Sequence, residues 1–86
     1  MARSHTFRVP LTLDPQPEGG FTVTSTALPE LITQGDTLEE ALANAKEAFA
    51  CVMDAYRGDD RPLPSNIIQV TEDTRIETEQ LLAAAS

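Results

Sequence analysis

Gly35-Asp36-Thr37-Leu38-Glu39-Glu40-Ala41 marks the point where this chain turns from strand to helix. Asp36 and Thr37 each carry a short side-chain oxygen that can accept an orphan backbone N–H, so either suits the N-cap. Thr37 with Glu40 fits the Ser/Thr-x-x-Glu capping box, and Asp36 with Glu39 offers a second register. The carboxylates suit the positive end of a helix dipole. Downstream, Leu38, Leu42, Ala45, Phe49, Val52 and Tyr56 recur at helical spacing, with Ala41, Ala48 and Met53 widening the stripe. This predicts an amphipathic helix over 37–57. Gly58 stands where a left-handed C′ residue is wanted.

Working outward, Phe7, Val9, Leu11 and Leu13 alternate with polar residues and Pro10, which predicts a half-buried strand with a bulge or a free side at the proline. Asp14 to Gly20 forms a breaker-rich, acidic loop, and the alternation resumes over 21–26 as the second arm of a hairpin. Residues 28–34 read as a connector into a short third strand over 31–34. After the helix, Asp59 to Ser65 is an extended loop and 66–70 a fourth strand. The tail, 72–86, is acidic and reads either as a short helix or as a segment ordered by a partner. The expected architecture over 5–71 is therefore α+β, a two-layer β-β-β-α-β unit with one main helix on one sheet face. The opposite face, rich in threonine, meets water or a second subunit.

The 86 residues make a single small domain, and the net charge is −8. A chain this short buries only ~60–65% of its unfolded surface, so a partner or self-association, as a dimer or tetramer, is expected. The negative charge disfavours nucleic acid and favours a basic protein partner. A single cysteine, Cys51, excludes an internal disulfide and fits a reducing, cytoplasmic setting. No stretch has the character of a secretory leader or of a bilayer span.

Candidate chemistry is sparse. Asp36, Glu39 and Glu40 cluster, but the cluster satisfies the capping rules and calls for no metal. Asp59-Asp60 reads as a helix-end loop. His5 is the sole histidine and has no marked catalytic partner. Cys51 reads as a semi-buried filler beside the apolar stripe. Gly19-Gly20 lacks the Lys-Ser/Thr of a phosphate-binding loop. Arg3, Arg8, Lys46, Arg57, Arg61 and Arg75 are scattered rather than clustered. What remains is acidic surface, in the hairpin tip, the connector, the helix face and the tail.

Taken in order, Gly19-Gly20-Phe21-Thr22-Val23, Leu28-Pro29, the run Thr33 to Ala41, Asn44-Ala45-Lys46-Glu47-Ala48 and Pro62-Leu63-Pro64 resemble a HicB-type antitoxin. The resemblance implies a partial ribonuclease-H-like fold with sheet order 3-2-1-4. Its last strand would lie parallel to the first, reached by a right-handed crossover through the helix. It implies a non-catalytic protein without cofactor or metal, which binds a small, basic, mRNA-degrading toxin of the HicA type and occludes its active site. On that reading Asp14, Glu18, Asp36, Glu39 and Glu40 are the candidate contacts to the toxin. The alternative is a toxin-less structural or regulatory homo-oligomer of the same fold. Pro29-Glu30-Leu31 stands where the family commonly has Pro-Gly-Cys, so this turn is made without glycine. The short acidic tail gives no expectation of direct DNA binding. The segments 7–13 and 21–26 contain no Asp or Glu, which argues against a two-metal nuclease.

Overall fold

The computed structural model describes residues 6–71, 73, 75–82 and 84. Its elements are β1 (Thr6–Arg8), β2 (Thr12–Pro15), β3 (Phe21–Thr24), β4 (Ile32–Gly35), α1 (Leu38–Gly58) and β5 (Ile68–Val70). The α+β class is as expected. The first predicted strand, however, is two strands, because Val9, Pro10 and Leu11 leave the ladder. Proline has no N–H to donate, so pairing lapses there.

That break has a large consequence. The strands form two separate antiparallel sheets, β2-β3-β4 and β1-β5, instead of one sheet in the order 3-2-1-4. β5 also runs antiparallel to β1, with Thr6 opposite Val70 and Arg8 opposite Ile68, where a parallel pair was expected. The right-handed crossover rule applies to parallel strands of one sheet. With β1 detached from β2, it does not constrain β5. The connector from Asp59 to Ile67 can span up to ~30 Å when extended, which permits either strand direction.

α1 opens as the capping box predicts. Thr37 is the N-cap, and its Oγ1 accepts from the Glu40 N–H at 3.1 Å. The Glu40 carboxylate accepts in turn from the Asp36 N–H at 3.0 Å, one residue earlier than the usual box places it. The Asp36–Glu39 register is not used. At the other end, the left-handed residue is Asp60 (φ 52°) and not Gly58, which is the last residue of the helix. The Asp60 N–H donates to the Arg57 carbonyl at 3.2 Å, and the Arg61 N–H to the Tyr56 carbonyl at 3.0 Å. These two bonds are those of a Schellman cap with Asp59 as C-cap. Aspartate is among the non-glycine residues that tolerate this backbone region, so the cap can close two residues later than Gly58 would have placed it.

α1 packs on β4 and β3 and covers one face of the three-stranded sheet. Val23, Ala41, Ala45, Val52, Tyr56 and Ile67 are buried there, and Phe7, Val9, Leu13, Phe21, Phe49 and Leu63 pack around them. Leu38, placed on the stripe by its spacing, is 36% exposed at the helix start. The segment read as a connector into a short strand holds the two largest fully buried side chains: Leu28 and Leu31 are 0% and 1% exposed. Each such leucine contributes about 2–3 kcal/mol by its burial. Their turn is tied by Ser25, whose buried Oγ accepts from the N–H groups of Ala27 (3.1 Å) and Leu28 (3.3 Å). It closes through Leu31 N–H to the Leu28 carbonyl at 3.0 Å, so no glycine is needed.

Two glycines fix how the layers meet. A Cβ on Gly35 would lie 2.4 Å from the backbone nitrogen of Ala41, so the first turn of α1 sits directly on the end of β4. A Cβ on Gly20 would lie 2.7 Å from the Gly35 carbonyl oxygen, and Gly20 has φ +84°. Among the described residues after Val70 there is no helix or strand, and those residues are exposed. Thr74, which with Glu77 would fit a capping box for a tail helix, lies outside the described residues. No helix among the described residues is long and apolar enough to cross a membrane.

Candidate protein-binding surface

The register of the three-stranded sheet decides where the acidic residues go. Asp14, Thr22 and Gln34 stand in one row across it, and Pro15, Phe21 and Gly35 in the next. The hairpin tip and the start of α1 therefore leave from the same end of the sheet. Asp14 and Gln34, two strands apart, are separated by about 10 Å. Sequence-distant Asp14 and Glu18 are thus brought to the same end as Asp36, Glu39 and Glu40. All five are exposed.

Each has its own local setting. Asp14 belongs to β2 and not to the loop in which the breakers placed it. Because Val23, with its partners Leu13 and Thr33, faces the helix, alternation turns Asp14 to the opposite, open face. That face also carries Thr12, Thr22, Thr24, Gln34 and Ile32. Glu18 occupies the tight turn closed by Gly19 N–H to the Gln16 carbonyl and Gln16 N–H to the Gly20 carbonyl, both 3.0 Å. Glu39 lies in the first turn of α1 beside Glu40. Glu40 differs from the other four because its carboxylate is engaged by the Asp36 N–H. Nearby, Asn44 Nδ2 donates to the Gln34 carbonyl at 2.8 Å and fastens the helix to β4.

The charges at this end are not compensated from within. The ion pairs among the described residues are Arg57–Asp54, Arg61–Glu30, Arg61–Asp59 and Arg75–Glu77, and none includes any of the five. Like charges gathered in this way add their potentials and raise the local concentration of a cationic partner. Glu30, part of the acidic surface read from the sequence, is instead engaged by Arg61 at 3.3 Å. No group of three or more His, Cys, Asp or Glu suited to a metal ion occurs among the described residues. Cys51 is exposed rather than semi-buried, one position off the apolar stripe. His5 and Arg3 lie outside the described residues.

Two features were not anticipated from the sequence. Ile32 is 67% exposed on the threonine face, an apolar side chain at an otherwise polar surface. Arg61 joins the helix end to the Leu28–Leu31 turn, and nothing in its sequence neighbourhood marks Glu30 as its partner.

No family model matches the chain. Curated relatives do match. The Antitoxin HicB of Escherichia coli (strain K12) is 47% identical over 60 residues, which is 67% of this chain and 44% of that protein. Antitoxin HicB 1 of Photorhabdus laumondii subsp. laumondii is 44% identical over 57 residues, 66% of this chain and 37% of that protein. The chain spans less than half the length of these curated relatives.

Proposed function

We propose, from the premise that this chain belongs to the HicB-like antitoxin family, that it is a non-catalytic antitoxin unit which captures a small basic toxin of the HicA type through the acidic end of its three-stranded sheet. The observation that carries this reading is the convergence of Asp14, Glu18, Asp36 and Glu39 on one end of the molecule, with no ion-pairing cation among the described residues. Carboxylates presented in this way steer a cationic protein into register and pair with its Lys and Arg side chains. They also repel the phosphate backbone of RNA from the surface they cover. Inhibition is then steric: the bound sheet end and hairpin occupy the space that the toxin's RNA substrate needs.

The test is co-expression with the product of the adjacent reading frame, where that frame encodes a small basic protein, followed by purification of the complex and measurement of association against salt. Co-purification, relief of growth arrest and an on-rate that falls with ionic strength support the proposal. An on-rate indifferent to salt counts against the charge mechanism, because steering is screened over about 8–10 Å at physiological ionic strength.

A second reading, a toxin-less structural or regulatory homo-oligomer, is favoured by one observation: the open sheet face combines threonines with the exposed Ile32. An Ile32→Asp variant that changes the sedimentation of the isolated chain would support it.

A further inference from the structure

The face of the three-stranded sheet turned away from α1 differs in composition from the rest of the surface. The chain carries 14 acidic and 6 basic residues. Alternation turns Thr12, Asp14, Thr22, Thr24, Ile32 and Gln34 to this face, and among them Asp14 alone is charged. A sheet face left to water gains solubility from interspersed Lys and Glu. Here four of the six side chains are β-branched instead. Such side chains are stiff at χ1, so little rotamer freedom is lost when something covers them. A middle depleted of charge beside an acidic margin is the make-up of an interface core and its rim.

The ladder register fixes the layout. Thr12, Thr24 and Ile32 stand in one row across the strands, and Asp14, Thr22 and Gln34 in the next row on the same face. Ile32, 67% exposed, ends the first row on β4. Asp14 ends the second on β2, two strands and two residues away, which is about 12 Å. The threonine hydroxyls between them can both donate and accept, and so can satisfy polar groups laid against them. Asp14 belongs to this face and to the acidic end at once, so the two form one continuous surface.

We propose, resting on the toxin-binding reading, that the open face is the part of that surface which holds the basic partner once it has arrived, with Ile32 as the anchor. The partner lays an apolar side chain on Ile32 and, about 12 Å away, a Lys or Arg on Asp14. Withdrawal of Ile32 from water keeps the complex together. The carboxylates of the acidic end govern the encounter instead. The two tasks separate in kinetics, since the anchor sets the off-rate and the charges set the on-rate.

Association and dissociation of the complex with the co-expressed basic protein test this. Ile32→Thr keeps a β-branched side chain on the strand and is expected to raise the off-rate roughly tenfold, with the on-rate nearly unchanged. Ile32→Val recovers most of the loss. Thr24→Lys, which sets a long charged side chain in the middle of the face, raises the off-rate as well. The unfolding midpoint of Ile32→Thr stays near that of the wild type, because the side chain is mostly exposed in one copy. A wild-type complex whose off-rate is the same in Ile32→Thr and Thr24→Lys overturns the proposal and leaves the toxin-binding reading standing. A wild type that forms no complex overturns that reading and the proposal with it. Self-association lost in Ile32→Thr, with the partner's off-rate unmoved, also overturns the proposal and gives the face to a second copy.

Discussion

The guanidinium carbon of Arg61 lies 4.1 Å from the centroid of the Tyr56 ring. The same side chain reaches Glu30 at 3.3 Å and Asp59 at 3.6 Å, while its backbone N–H closes the helix on the Tyr56 carbonyl. One residue therefore caps α1, stacks on its last buried aromatic and holds the turn that buries Leu28 and Leu31. Arg61→Ala is expected to destabilise the fold by about 1–2 kcal/mol, the sum of a partly exposed cation–π contact and a modest ion pair. Arg61→Lys should recover only part of this, because the flat guanidinium is what stacks and bonds at once. Urea unfolding of the three proteins checks the order.

Asp60 holds a positive φ that glycine adopts without cost. Asp60→Gly should stabilise the protein by a few tenths to about 1 kcal/mol, the relief of strain being reduced by the greater freedom of glycine in the unfolded chain. A lower urea midpoint in the variant would contradict the assignment of this residue as the left-handed C′.

Gly35 allows the opposite experiment. A methyl group there meets backbone atoms of Ala41 and Glu40, all closer than 3.0 Å, which cannot rotate away. Gly35→Ala is expected to cost about 3 kcal/mol or more, by forcing α1 off the end of β4. Thermal unfolding measures it, and a variant as stable as the parent would show that helix and strand are not in this contact.

The capping box separates structure from binding within the acidic cluster. Thr37→Ala should cost about 1 kcal/mol, as the loss of an N-cap does. Glu40→Ala should also destabilise, whereas Glu40→Gln keeps an acceptor for the Asp36 N–H and should be milder. Stability from denaturant curves, measured beside affinity for the proposed basic partner, distinguishes a contact residue from a helix cap.

Asp14 and Glu18 carry no such structural duty. Reversing both, Asp14→Lys with Glu18→Lys, should leave the unfolding midpoint nearly unchanged. It should slow association with a basic partner by roughly tenfold at low salt, an effect that shrinks as salt is added. Stopped-flow association at several ionic strengths reads both.

Local patterns were the legible part of this protein. Thr37 and Glu40 declared the helix start because a capping box acts within four residues, and the stripe from Ala41 to Tyr56 declared its buried face. The hairpin was visible because Gly19 and Gly20 sit between two alternating segments. The carboxylates of the candidate surface were visible one at a time, and so was the excess of negative charge.

What the local patterns could not settle depended on how distant segments meet. Pro10 signalled a disturbance, but whether it gave a bulge or two strands rested on what the flanking residues pair with. Once β1 left β2, the direction of β5 was free of the crossover rule, and packing of Phe7 against Phe49 took its place. Leu28 looked like a linker residue and Leu31 like the start of a short strand, because so short a segment shows no periodicity; only the fold closes over them. The sequence by itself determined the helix, its cap, the hairpin and the sign of the surface, all set by interactions a few residues apart. Tertiary structure alone decided the split sheet, the antiparallel β5, the Arg61–Glu30 link and the gathering of Asp14 with Asp36, because each needs a register or a packing contact between segments that the chain brings together only when folded.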